Sequence, residues 1–227
     1  MPKPRKQQIF LSETPYYHCV SRCVRRAFLC GKDAITQKSF EHRREWVQER
    51  LLFLSSVYTI DVCAFAVMSN HTHVVIKVDS KKSKRLTAKE VLERWHKIHY
   101  GTLLTRKFCD ETCFDSTLIP TIKATARIYR ERLSSLSWFM KDLNEYIARL
   151  ENAEDNCTGR FWEGRFTSQD LLDDASLLTC MAYVDLNPIR AQMANDLKAS
   201  DHTSVQLRID SAIKGVLKPM GSERLKL

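Results

Sequence analysis

The sequence has no long hydrophobic run, and neither an internal repeat nor a low-complexity segment interrupts it. No stretch of about 18 uncharged apolar residues occurs, which argues against a membrane-spanning helix. The basic residues 1–8 lead into no long apolar segment, so they do not have the form of a secretory signal. We therefore expect a protein that works in the cytoplasm and has no membrane partner.

Acidic residues are fewer than basic ones, 27 against 36, which gives a formal net charge of +9. A basic surface attracts polyanions and speeds their capture. Nucleic acid is the commonest such partner for a protein of this kind. The 227 residues, 44% of them apolar, are enough for one domain with a sizeable core and some helical additions.

The eight cysteines do not indicate a disulfide framework, because a chain of this length can build a core without covalent staples. Most of them lie in apolar segments, where a free thiol behaves as a small hydrophobe. Two pairs have C-x3-C spacing, Cys19/Cys23 and Cys109/Cys113. Structural zinc sites usually begin with a tighter pair, so packing is favoured and zinc is kept as an alternative.

Strand and helix patterns alternate along the chain. Aromatic and β-branched residues predict a strand over 14–24, and two further strands over 60–68 and 73–78 form a hairpin around Ser69 and Asn70. Helical periodicity predicts helices over 39–58, 87–100, 124–150, 173–187 and 203–213. A further strand is expected over 160–172 and a basic loop over 81–85, and the weak periodicity of 101–120 predicts no element. Pro188 should end or bend the helix over 173–187. This mixture predicts an α+β fold.

The first chemical motif is His71-Thr72-His73, at the start of a predicted strand. Residues two apart on a strand project from the same face, so the two imidazoles can bind one metal ion. Taken alone, the pair can equally be two polar residues at a strand end. If the histidines face the site, Thr72 faces the opposite side.

The second motif is Tyr183-Val-Asp-Leu-Asn187, near the end of a predicted helix. Positions i and i+4 share a helix face, so the phenol and the amide point the same way. A phenol can act as a covalent nucleophile, and an amide oxygen can be a hard metal ligand. Taken alone, the motif can also be a core tyrosine followed by a helix-ending Asn-Pro.

Three segments together resemble a known family. Met68-Ser-Asn-His-Thr-His-Val-Val, Gly159-Arg-Phe-Trp-Glu-Gly-Arg-Phe and Ala182-Tyr-Val-Asp-Leu-Asn-Pro-Ile-Arg-Ala are similar to single-tyrosine (HUH) transposases of the insertion-sequence-200 type. With the opening Pro15-Tyr-Tyr-His-Cys-Val-Ser-Arg-Cys, they most resemble the branch associated with repetitive extragenic palindromes, or REP. The resemblance covers about residues 14–195. Thr72 departs from it, since the family more often has a bulky apolar residue between the histidines.

The resemblance implies a ferredoxin-like antiparallel sheet with helices packed on one face, and extra helices from an insertion at about 100–158. It implies a flexible basic arm over 1–13, a nuclease domain over 14–195 and a C-terminal extension over 196–227. His71, His73 and Asn187 would hold Mg2+ or Mn2+. Tyr183 would attack a phosphodiester of single-stranded or hairpin DNA, leaving a 5′-phosphotyrosine and a free 3′-OH, so that cleavage and rejoining need no energy source. A homodimer is one possible active unit.

DNA contacts are expected around that centre, from arginines that grip phosphates and aromatics that stack on unpaired bases. The candidates are Arg22, Arg25, Arg26, Arg160, Phe161, Trp162 and Arg165, together with Lys3, Arg5 and Lys6 of the arm. Each arginine can instead be a solvated surface charge, and each aromatic a core residue.

Three other functions remain open on the sequence. A ferredoxin-like module that binds single-stranded nucleic acid without cutting it is the main alternative, although the glycine-and-aromatic RNA-recognition signature is absent. A metal-dependent hydrolase would use water as its nucleophile and form no protein–DNA bond. A decayed transposase kept as a regulator is disfavoured because His71, His73, Tyr183 and Asn187 are all present.

Overall fold

The structure, a computed structural model, describes residues 9–24, 29–33, 37–110 and 115–213. The elements in chain order are β1 (Tyr16–Arg22), α1 (Arg43–Val57), β2 (Ile60–Val67), β3 (His71–Val78), α2 (Ser80–Arg85), α3 (Ala88–His96), α4 (Leu103–Cys109), α5 (Ile119–Leu133), α6 (Leu136–Glu154), β4 (Thr167–Leu171), α7 (Asp174–Arg190) and α8 (Ser204–Ile213). In the described ranges, no helix combines the length and the apolar character needed to cross a membrane.

Four strands form one antiparallel sheet in the order β2-β3-β1-β4. The central β1 pairs with β3 on one side and β4 on the other, and β2 and β3 form the predicted hairpin. With α1 after β1 and α6 before β4, the connectivity is the βαββαβ arrangement of ferredoxin-like folds. The predicted α+β fold is confirmed.

The larger core lies between the sheet and the helices α1 and α6. Val47, Leu51 and Leu54 of α1 are buried at helical spacing, and Phe139 and Ile147 of α6 meet the same core. The sheet contributes the alternate residues of its strands, which are Tyr17, Cys19, Phe65, Val67, Val74 and Ile76. Alternation and helical period therefore select one matching face from each element.

A second, smaller helical layer covers part of the opposite face. Ala64, Ala66 and Val75 point to that side and pack with Val184 of α7. The expectation that the helices pack on one face is corrected on this point. The reason is that β2 and β3 carry apolar residues at successive positions, so both of their faces need cover.

The helices between β3 and β4 differ from the expected insertion. The helix α6 lies within 100–158, yet it packs against α1 and supplies the second helix of the βαββαβ unit. The additional helices are α2 to α5, and they begin at the basic run that was expected to be a loop. Asp79 caps α2 there by accepting a hydrogen bond from the Lys82 backbone nitrogen.

The end of the described chain supports the edge strand β2. The predicted helix over 203–213 is confirmed as α8, and its first residue, Ser204, accepts a hydrogen bond from the Phe65 nitrogen. The Ser204 hydroxyl donates its one proton to Asp185 Oδ1 of α7 at 2.8 Å. The helix α7 continues through Pro188 to Arg190, about one turn beyond its predicted end.

Candidate active site

The strand β3 places both predicted metal ligands on the face that α7 covers. His71 and His73 are separated by Thr72, which lies opposite Ser21 in the register and is buried on the α1/α6 side. The Thr72 hydroxyl has no hydrogen-bond partner in the described part of the chain. The departure at Thr72 therefore affects the core and not the histidine face, as the sequence indicated.

The imidazoles of His71 and His73 meet through their Nε2 atoms, which are 3.0 Å apart. Two adjacent ligands of an octahedral ion with bonds of about 2.1 Å are about 3.0 Å apart, so this spacing fits a shared cation. The Nδ1 atom of His71 lies 2.6 Å from Asn70 Oδ1. Because the Asn70 oxygen can only accept, Nδ1 of His71 carries the proton and its Nε2 lone pair is free for a ligand role.

A third histidine joins the pair from β1. His18 Nε2 lies 2.9 Å from His73 Nδ1, on the ring edge of His73 that faces away from His71. His18 was not among the predicted site residues. Its place in the strand pattern was visible, but the pairing that brings it beside His73 depends on the register of β1 and β3.

All three histidines are held in the neutral form. Burial, together with the neighbouring His71, His18 and Arg22, lowers the pKa of His73 to about 3. Burial, followed by Arg22, lowers the pKa of His71 to about 4, and burial also lowers the pKa of His18. Neutral imidazoles with free lone pairs are the form that binds a metal ion.

The three rings form a row and do not surround one point, since His73 uses different nitrogens for its two neighbours. Consistently, no three histidine, cysteine, aspartate or glutamate side chains in the described ranges form a metal-binding group. Cys19 and Cys23 are both buried in the larger core, which supports packing over zinc for that pair. Cys113, of the second pair, lies outside the described residues.

Tyr183 stands on α7 directly over this row. The centre of its ring is 5.7 Å from that of His73 and 6.4 Å from that of His18, in edge-on contacts. Arg190, two turns further along α7, places its guanidinium carbon 5.7 Å from the centre of the same ring. The side chain is 40% exposed, so the phenol is open to an incoming substrate.

Asn187 lies one helical turn beyond Tyr183, as predicted, and is half-buried. Its side-chain nitrogen is buried without a hydrogen-bond partner among the described residues. Because the two ends of an amide exchange positions on a half-turn, the same place can present the oxygen. Asn187 makes no hydrogen bond to either predicted ligand in the described part of the structure, so its ligand role stays a prediction.

A cavity of about 740 Å³ opens beside Tyr183, His73 and His18. Two of the predicted phosphate-binding residues, Arg22 and Arg165, line it. Its remaining wall comes from Val20 and from the turn and strand that follow the helical layer: Glu163, Gly164, Thr167, Ser168 and Gln169. The cavity therefore joins the nucleophile candidate, two histidines and two arginines.

The other predicted DNA contacts have different positions. Arg160 is exposed and lies outside the cavity lining. Phe161 and Trp162 are buried in the larger core, and Trp162 Nε1 donates to the Asn144 oxygen at 2.7 Å. Their stacking on unpaired bases is therefore replaced by a packing role, because the rings fill the space between the sheet and α6. The remaining five, Arg25, Arg26, Lys3, Arg5 and Lys6, lie outside the described residues.

Comparison with known proteins gives a likeness in structure and none in sequence. No family model matches the chain, and no curated protein matches it. A solved structure of a REP-associated tyrosine transposase bound to a REP hairpin superposes with a TM-score of 0.52, covering 100% of this chain and 94% of that one. The identity is 8%, so the similarity is one of fold.

Proposed function

We propose that this chain is a metal-dependent endonuclease and strand transferase that cleaves and rejoins single-stranded DNA near hairpins through a 5′-phosphotyrosine. The observation that carries the proposal is the position of Tyr183, whose ring stands 5.7 Å from that of His73 at the edge of a basic cavity. The similar fold of a tyrosine transposase that holds a DNA hairpin supports the same class of activity.

Arg22 and Arg165 would hold the backbone of the single strand in the cavity. Both side chains line it, and guanidinium groups bind phosphate oxygens in a fixed, often bidentate geometry. A strand held there passes the exposed phenol of Tyr183. DNA transposition or processing of REP elements is the biological reaction that this arrangement would serve.

His71 and His73 would hold the divalent cation, Mg2+ or Mn2+, with the amide of Asn187 as a further ligand. The 3.0 Å spacing of the two Nε2 atoms and the unpartnered amide of Asn187 fit this role. When bound, such a cation polarises the scissile phosphate and offsets the charge that develops on it.

Tyr183 would perform the covalent step. Its oxygen attacks the phosphorus in line, the bond from phosphorus to the 3′ oxygen breaks, and the 5′ phosphate stays on the tyrosine. The phenol gives up its proton to solvent water in the open cavity, and the departing 3′ oxygen takes up a proton from water. Attack by a 3′-OH on the phosphotyrosine reverses these bond changes, so rejoining conserves the energy of the phosphodiester.

The proposed site is complete within a single chain. Tyr183, His73 and His18 of the same chain are already in contact, so a second copy need not supply the nucleophile. The alternative of a binding module that uses sheet aromatics loses support, because Phe161 and Trp162 are buried.

The test uses labelled single-stranded hairpin DNA with Mn2+, resolved on denaturing gels. The wild type should give a covalent protein–DNA band that disappears with EDTA and in Tyr183→Phe. Tyr146→Phe is the matched control, because Tyr146 is 41% exposed and also lies under an arginine, Arg50. That variant should retain the band. Cleavage without a covalent band would indicate a water nucleophile, and binding without cleavage would indicate a binding module or an inactive relic.

A further inference from the structure

We propose that His18 is a positioning residue, which fixes the ring and the proton position of His73 and so prepares the cation site. The geometry behind it is the 2.9 Å contact from His18 Nε2 to His73 Nδ1. The proposal rests on the cation site proposed above. Its experiment is carried out without DNA, so that the two can fail separately.

The hydrogen bonds along the row of histidines have defined donors and acceptors. Asn70 Oδ1 accepts from Nδ1 of His71, which leaves Nε2 of His71 with a lone pair. Nε2 of His73 is 3.0 Å from Nε2 of His71, so without a cation His73 donates its Nε2 proton to that lone pair. Nδ1 of His73 then has no proton, and it accepts a hydrogen bond from Nε2 of His18.

A cation between the two Nε2 atoms requires the opposite arrangement at His73. Its Nε2 must present a lone pair, so the single proton of the neutral ring moves to Nδ1. Nδ1 of His73 then donates to Nε2 of His18, whose own proton moves to Nδ1. Each ring stays neutral and no proton is released, because the two rings only exchange one tautomer for the other.

The effect of this contact on the cation site follows from general experience with metal-binding histidines. In such histidines, the N–H of the second ring nitrogen donates to an acceptor, which fixes both the tautomer and the orientation of the ring. Loss of the acceptor weakens metal binding about 10- to 100-fold. Asn70 serves His71 in this way, and His18 serves His73.

The strand that carries His18 is paired on both sides. His18 lies in the middle of the central strand β1, opposite Val75 of β3 and Gln169 of β4. Its nitrogen contact is with His73, whereas its relation to Tyr183 is an edge-on ring contact at 6.4 Å. These distances favour a role through His73 over direct proton transfer with Tyr183.

The experiment measures Mn2+ affinity of the full chain by titration calorimetry and by the electron paramagnetic resonance signal of free Mn2+. His18→Leu removes the acceptor, and we expect Mn2+ to bind about 10- to 100-fold more weakly than to the wild type. His18→Gln returns an acceptor oxygen near the position of Nε2 and should stay within about threefold of the wild type. Far-UV circular dichroism and thermal unfolding confirm that both variants fold.

The outcomes separate the two proposals. Equal Mn2+ affinity of the wild type and His18→Leu would overturn the role of His18 and leave the cation site intact. Absence of Mn2+ binding by the folded wild type would overturn both. A loss of affinity in His18→Leu that His18→Gln fails to restore would overturn the hydrogen-bond role and indicate packing.

A spectroscopic readout tests the tautomer change directly. In nitrogen-15 spectra of the histidine side chains, addition of Mg2+ should move the proton of His73 from Nε2 to Nδ1 in the wild type. Persistence of the Nε2 proton on His73 at saturating Mg2+ would contradict the proposal.

Discussion

The two faces of the sheet are built from the same strands and have opposite character. Along β1, Tyr17 and Cys19 are fully buried against the α1/α6 layer, while His18, one residue away, lines an open cavity. Along β3, Val74 lies in the larger core, and His73 lies beside Tyr183. The alternation of a β-strand thus lets one element serve stability on one side and chemistry on the other.

The ionisable groups of the two faces are satisfied in different ways. On the helical side, Arg43 is fully buried and forms ion pairs with Glu151, Glu154 and Asp155. On the cavity side, the buried histidines avoid the cost of burial by staying neutral. The helical face thus pairs its buried charge within the protein, whereas the cavity face holds neutral imidazoles beside two arginines.

The largest expected effect is the loss of stability when a buried ion pair on the helical face is removed. Arg43→Met leaves the carboxylate of Glu151 buried without its partner, and we expect the free energy of unfolding to fall by about 3–5 kcal/mol. Urea denaturation followed by circular dichroism measures this. Arg149→Met is the matched control. Arg149 lies on α6, the helix that carries Glu151, and pairs with Glu145 at the surface. Its substitution should lower the free energy of unfolding by less than about 1 kcal/mol. Equal losses in both variants would contradict the stabilising role of the buried ion pairs on the helical face.

The next effect acts on the cavity face. His73→Ala removes one of the two proposed cation ligands, and we expect Mn2+-dependent DNA cleavage to fall by about 10²- to 10³-fold. Thermal unfolding should show that the variant remains folded. His202→Ala is the control, because His202 contacts Gln48 away from the cavity, and its cleavage rate should match the wild type. Unchanged cleavage by His73→Ala would remove the histidines from the mechanism.

Low pH should destabilise the fold through the histidines of the cavity face. Because the pKa of His71 is lowered to about 4 and that of His73 to about 3, the unfolded chain binds more protons than the folded one below about pH 6.5. The stabilisation is present above pH 6.5 and is lost as the pH falls towards about 4, by roughly 3 kcal/mol for each of the two histidines. Urea unfolding at successive pH values measures the slope. The same slope in a His71→Ala, His73→Ala double variant would assign it to other groups.

The smallest effect concerns the arginines of the cavity. Arg22→Gln and Arg165→Gln should each weaken single-stranded DNA binding by roughly 1 kcal/mol and reduce the slope of log K against log salt by about 0.7. Fluorescence anisotropy at several salt concentrations gives both quantities. Arg127→Gln, an exposed residue of α5, serves as the control and should leave the slope unchanged. An equal change in all three variants would indicate general charge and not a DNA path.

Local patterns accounted for the parts of the site that lie within one element. The shared face of His71 and His73 follows from a period of two, and the spacing of Tyr183 and Asn187 follows from a helical turn. The hairpin was equally visible from its apolar strands and the intervening turn, whereas the pattern that predicted α8 was weaker.

Long-range packing decided the rest. His18 meets His73 only because β1 and β3 pair in one register, and no local pattern specifies that register. Phe161 and Trp162 are flanked by the charged residues Arg160 and Glu163, yet they are buried because α6 packs over them. Long-range packing also places α7 on the opposite face, where it covers the apolar residues Ala64 and Ala66 of β2.

The most direct test of the account identifies the residue that carries the DNA. The covalent product formed with single-stranded hairpin DNA and Mn2+ is digested with nuclease and trypsin and sequenced by tandem mass spectrometry. Cleavage after Arg165 and Arg190 releases a peptide in which Tyr183 is the sole tyrosine. The account predicts a nucleotide phosphate on Tyr183. A nucleotide on another residue, or cleaved DNA with no modified peptide, would contradict it.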